Sequence, residues 1–134
     1  DVIEHLPNPK KTVLQIKKLL KPKGIIAVTT PNIGSLTAKV LGSGWEEIKR
    51  VREHTYFFSD KTLRDLLESA GFKVLKTETA GRHFSVESAI RRLNIYSPAL
   101  SGICKRIAKI LGLKNVKVYV DPHYKITIYA RKLK

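Results

Sequence analysis

One cysteine is all that the 134-residue chain carries, and Cys104 alone can form neither an internal disulfide nor a multi-cysteine zinc site. It stands at helical spacing among Ile103, Ile107 and Ile110, the pattern of a buried, inert thiol. Long apolar runs are missing too: no stretch approaches the ~20 residues of a membrane span. The first residues, Asp-Val-Ile-Glu-His, hold no initiator methionine, basic lead-in or signal core, so the sequence reads as cut from a longer one. These absences suit a cytoplasmic protein. Acidic residues are scarce, 11 against 26 Lys and Arg, for a net charge of +15. That excess favours nucleic acid, an anionic membrane surface or an acidic substrate, unless a missing acidic portion balances it.

What is present is an ordinary apolar share of 43%, enough for one domain with a modest core. There is no internal repeat. Asn8-Pro9 opens a helix, Asn as cap and Pro at the first helical position. Val13, Ile16, Leu19 and Leu20 give it an apolar face opposite Lys10, Lys11, Lys17 and Lys18. Lys21-Pro22-Lys23-Gly24 turns the chain into Ile25 to Thr30, an unbroken run that suits a strand covered on both faces. Residues 31 to 54 are turn-rich, with a short helix expected over Ser35 to Leu41. A second helix runs from a Ser59 cap through Leu63, Leu66, Leu67 and Ala70 to Gly71, and Phe72 to Thr79 follows as a strand. Two helices broken near Ser97-Pro98 are expected between Val86 and Leu113. Val116 to Val120 and the alternating Lys125 to Arg131 read as strands. The class is α/β.

Taken in order, several pieces resemble the class I S-adenosylmethionine-dependent methyltransferases, in particular the branch of the ubiquinone-biosynthesis O-methyltransferases. The pieces are Asp-Val-Ile-Glu-His-Leu at 1 to 6, Leu-Leu-Lys-Pro-Lys-Gly at 19 to 24 and Thr-Thr-Pro-Asn at 29 to 32. Glu-His-Thr-Tyr-Phe-Phe-Ser at 53 to 59 and Ala-Gly-Phe at 70 to 72 complete them. The resemblance implies the C-terminal half of a seven-stranded Rossmann-like sheet. Residues 24 to 30 would be its fifth strand and 72 to 79 its sixth, with 125 to 131 an antiparallel seventh between them. It also implies one partial domain over 1–134, with a variable helical insertion at about 80–115. The glycine-rich turn and the acidic ribose-binding residue of such folds are absent, so the missing N-terminal half would be required for activity.

Methyl transfer from S-adenosylmethionine to an acceptor hydroxyl is an in-line displacement that requires alignment and removal of a proton. Glu4 or His5 is the candidate general base, against a purely local role for both. The resemblance sets Asp1 and Val2 on the cofactor side, and Pro31, Asn32, His54 and Tyr56 on the acceptor side. Pro31 and Asn32 also read as a plain turn. A further likeness, to the small-RNA 2′-O-methyltransferases that hold a divalent cation through glutamate and histidine, implies Asp1, Glu4, His5 and His54 as ligands for Mg or Mn. Asp1 is shorter than the usual glutamate. His83 and His123 read as solvated loop residues, and among the aromatics Trp45, Tyr56, Phe57 and Phe58 the core claims Phe58 first. The acceptor is expected to be a small or lipid-like molecule, with peripheral membrane association as an option. The rival reading is a basic binding module for anionic lipid or nucleic acid without catalysis. It draws on the stripe Leu100, Ile103, Ile107, Ile110 and Leu111 beside Lys105, Arg106 and Lys109, although such a stripe more often packs on its own sheet.

Overall fold

A computed structural model describes residues 1–49, 52–113, 116–121 and 123–133. The fold is α/β, and the chain divides into two compact units, Asp1–Ala80 with Pro122–Lys134, and Gly81–Asp121.

In the first unit, helix α1 (Pro9–Leu19) begins where the Asn8 side chain accepts from the Lys11 N–H at 2.9 Å. Strand β1 (Ile25–Pro31) is followed by two short helices, α2 (Leu36–Leu41), capped by Ser35, and α3 (Glu46–Lys49). Helix α4 (Asp60–Ser69) opens with a reciprocal cap between Ser59 and Thr62. It closes at Gly71, whose φ of +82° lies in the left-handed region and whose N–H reaches the Glu68 carbonyl at 2.9 Å. Strand β2 (Phe72–Thr79) leaves from there, and the last strand of this unit, β5 (Lys125–Lys132), lies between β1 and β2, antiparallel to both. That order is the one the resemblance implied for strands five, seven and six.

The strand period of two puts Ile26 and Val28 of β1 on one face with Ile126, Ile128 and Ala130 of β5 and Phe72 of β2. Val13 of α1 and Leu63 and Leu67 of α4 pack against them, forming the core. Ile25 and Ala27 are exposed. Within this chain the burial of β1 alternates over Ile25 to Val28, because α1 and α4 supply the core on one face.

The second unit pairs β3 (Arg82–Ser85) with β4 (Lys117–Val120), antiparallel, around a helical hairpin of α5 (Val86–Tyr96) and α6 (Pro98–Ile110). Ser85 and Ser97 cap the two helices, and the Ser101 hydroxyl ties α6 to the Ile90 carbonyl at 2.9 Å. Three expectations change here. His83 lies in β3, its ring 5.2 Å from that of Tyr119, where a loop was expected. Cys104 is only half-buried, and Ile103, Ile107 and Ile110 are exposed, because Ser101 and Ala108 form the buried face of α6. The apolar stripe of α6 is accordingly open. No described helix is long and apolar enough to cross a membrane.

Candidate functional site

Ile3–His5 form one 3-10 turn, which sends successive side chains in directions about 120° apart. Ile3 goes into the core, and Glu4 is buried toward the end of β1. There Thr30, on the same strand face as Ile26 and Val28, donates its hydroxyl to Glu4 Oε2 at 2.9 Å. Glu4 Oε1 lies 3.9 Å from His5 Nε2. A buried carboxylate is costly unless hydrogen-bonded or faced by positive charge, and Thr30 supplies the hydrogen bond to Oε2.

The segment after α3 is sewn to this turn. The N–H groups of Thr55 and Tyr56 donate to the Glu4 carbonyl at 2.8 and 3.0 Å, and the Tyr56 hydroxyl donates to the Pro7 carbonyl at 3.3 Å. His5 Nδ1 stands 2.7 Å from the Glu53 carbonyl. A carbonyl only accepts, so Nδ1 carries the hydrogen, and in the neutral form of the ring the lone pair is on Nε2. His54, held between these anchors, turns inward and is buried. Its ring meets that of His5 edge-on, centroids 4.7 Å apart at 70°. Its Nε2 is 3.9 Å from Glu47 Oε2, and its Nδ1 is buried without a hydrogen-bond partner.

Glu4, His5 and His54 each offer one ligand atom, and these atoms lie within 4.8 Å of one another. Asp1, expected as a fourth ligand, is not in that group; its carboxylate accepts from Lys125 Nζ at 2.5 Å. Val2, expected beside the cofactor, is an exposed apolar side chain. Pro31 is buried at the end of β1. Asn32 serves the turn, accepting from the Gly34 N–H at 2.9 Å through Oδ1 and donating its own N–H to the Tyr124 carbonyl at 2.7 Å. Tyr56 is partly exposed, whereas Phe58 and Trp45 are buried. His123, at φ +57°, is an exposed residue outside the strands.

Glu47 was not singled out from sequence. It is a buried acid of α3 facing His54, and nothing in Trp45-Glu46-Glu47-Ile48 distinguishes it from its neighbour Glu46.

Comparison with known proteins places this geometry in a family. A model of the methyltransferase domain family matches residues 1–77. A search of curated proteins found no match. Among solved structures, a protein of Bacillus halodurans described as a methyltransferase aligns over 99% of this chain and 67% of its own, with a TM-score of 0.56 and 17% identity. An S-adenosylmethionine-dependent methyltransferase of Thermotoga maritima aligns over 98% of this chain and 52% of its own, at 0.55 and 18%. A phosphoethanolamine N-methyltransferase of Haemonchus contortus, solved with S-adenosyl-L-methionine, gives 0.51 and 17%, covering 100% of this chain and 32% of its own. The chain thus spans between a third and two thirds of the length of these structures, and at such identity the likeness is one of fold. The match over the first 77 residues carries the assignment further: the chain belongs to the methyltransferase domain family and has the α/β fold of the class I methyltransferases.

Proposed function

We propose that this chain is the acceptor-side part of an enzyme that moves a methyl group from S-adenosylmethionine to a hydroxyl, with His5 as the base. The observation that carries the proposal is the His5 ring, pinned through Nδ1 to the Glu53 carbonyl while Nε2 faces the buried Glu4 carboxylate. In the step, an acceptor O–H gives its proton to His5 Nε2 and the oxygen's electron pair attacks the sulfonium methyl. The carbon–sulfur bond breaks and its pair stays on sulfur. Glu4, 3.9 Å away, stabilises the imidazolium that results, and Thr30 keeps the carboxylate aimed.

The residues here do not by themselves cradle the methyl donor. Asp1 is engaged by Lys125, Val2 offers no polar atom beyond its backbone, and the sequence has no glycine-rich turn after a buried strand. Holding the donor falls to other parts of the protein. The finer placement beside the ubiquinone-biosynthesis O-methyltransferases rests on the sequence resemblance at residues 1–6, 19–24, 29–32, 53–59 and 70–72, and the acceptor it implies is a small or lipid-like hydroxyl compound. The test is turnover of the full-length protein. His5→Gln is expected to lower kcat by about a hundredfold or more, the usual weight of a general base, while calorimetry shows cofactor affinity nearly unchanged. Wild-type turnover in both His5→Gln and Glu4→Gln would overturn the role.

A second reading adds a divalent cation at Glu4, His5 and His54. It is favoured by the unpartnered, buried Nδ1 of His54 and by the convergence of three ligand atoms. One carboxylate and two imidazoles suit manganese or iron, and magnesium less well. A cation there would polarise the acceptor oxygen and lower its pKa. Titration calorimetry with manganese should then show saturable binding that His54→Ala abolishes. Identical heats from the two proteins would sink this reading while leaving His5 as base.

A further inference from the structure

Helix α6 carries three distinct faces. Ser101, Cys104 and Ala108 turn toward α5, and the Ser101 hydroxyl is bonded to the Ile90 carbonyl. At spacings of three and four, Leu100, Ile103, Ile107 and Ile110, continued by Leu111, form a second apolar face. These side chains are 48, 56, 50, 82 and 60% exposed. Lys105, Arg106 and Lys109 are exposed on the remaining side, and the helix contains no acid. Beside the open stripe runs a groove of about 490 Å³, lined by Val86, Ala89, Leu93, Ile107, Leu113 and Val118. Between residues 81 and 121 the only acids are Glu87 and Asp121.

A helix with one apolar face already packed has no folding reason to carry a second. An occupant has to satisfy an apolar stripe and a row of cations together. A nucleic-acid backbone satisfies the cations and leaves the isoleucines in water. A second copy of this chain covers the isoleucines but brings one row of Lys105, Arg106 and Lys109 up to another, in a unit whose sequence holds only Glu87 and Asp121 as acids. A bilayer with anionic headgroups serves both: the acyl boundary takes the stripe and the phosphates take the lysines and arginine. We propose that α6 docks this protein on an anionic membrane surface, lying in the interface plane with Ile103, Ile107 and Ile110 inward. The proposal is independent of the methyl-transfer chemistry.

The test is flotation of the protein with phosphatidylcholine vesicles, neutral or containing about 30% phosphatidylglycerol, at physiological ionic strength. Binding is expected only with the anionic vesicles, at least about tenfold above the neutral ones. It should fall by about tenfold or more in the triple variant Ile103→Ser/Ile107→Ser/Ile110→Ser. An equal or larger loss is expected in Lys105→Gln/Arg106→Gln/Lys109→Gln, at about 1 kcal/mol, or about fivefold, for each cation near the surface. All six side chains are exposed, so circular dichroism should match the wild type. Equal binding to both vesicle types, or binding that survives the serine triple, would overturn the proposal. So would a dimer that the serine triple dissociates, which makes the occupant a second copy. Salt-steep oligonucleotide binding that needs the cations and ignores the isoleucines would overturn it in favour of nucleic acid.

Discussion

In the first unit Val13, Leu63, Leu67, Phe72 and Ile128 are almost completely buried, between a three-stranded sheet and two helices. In the second, α5 buries no residue and α6 buries only Ser101 and Ala108. Both units contain well-capped helices, and both are rich in isoleucine, leucine and valine. The difference lies in what those side chains meet. A sheet presents a broad apolar face that a helix can cover, whereas two helices and a two-stranded ribbon leave much of their apolar surface outside. Buried apolar contacts are thus concentrated in the first unit, along with Glu4, His5 and His54, and the second unit leaves apolar surface exposed.

The contrast between the units is most exposed to test in the core of the first. Leu67→Ala, in the fully buried face of α4, should lower the unfolding free energy by about 2–5 kcal/mol in urea titration. A loss below 1 kcal/mol, on the order expected of a surface site, would mean the core is not where stability resides. Removing the α4 cap with Ser59→Ala should cost about 1 kcal/mol, since its hydroxyl accepts from the Thr62 N–H. If that cost is absent, the helix is held by packing alone. The smallest effect belongs to the second unit: Ile110→Ser should change stability by no more than about 0.5 kcal/mol. A cost comparable to that of Leu67→Ala would show that the stripe is packed and would erase the contrast between the units. Hydrogen exchange gives the same comparison by residue, with slow amides expected at Ile126 and Ile128 and faster ones at Ile103 and Ile107.

Much of the first unit was legible in the sequence because its signals are local. Asn8-Pro9 and Ser59 announce helix starts by side-chain chemistry within three residues, and Gly71 announces a helix end through its backbone freedom. Phe72 to Thr79 and Lys125 to Lys132 form strands where alternation and turn residues set them. The site was less legible. Nothing in the spacing of His54 and His5 implies that they meet; the hydrogen bonds of residues 53–56 to the Glu4 turn bring them together, and only a family resemblance suggested it. Glu47 gave no sign because its burial depends on tertiary packing around Trp45 and His54 rather than on periodicity. The stripe on α6 misled for the opposite reason: its period is helical, but periodicity says nothing about whether a neighbour exists to cover it. The ribbon strand Arg82–Ser85 escaped notice because four residues are too few for alternation to show.

The position of β5 has a consequence for how the chain comes to be folded. Its partners β1 and β2 point the same way and leave a slot one strand wide, which only residues 125–132 fill. Ile25 pairs with Arg131 and Phe72 with Lys132, so the central ladder joins segments far apart along the chain. Such high contact order slows folding, because the loops must close before the ladder rewards them. During synthesis on the ribosome, β1 and β2 emerge long before their common partner, each with its inner edge unpaired. The interval between translation of Thr79 and of Lys132 is therefore the period in which a nascent chain is most open to chaperone binding and to misassembly with its neighbours on the same message.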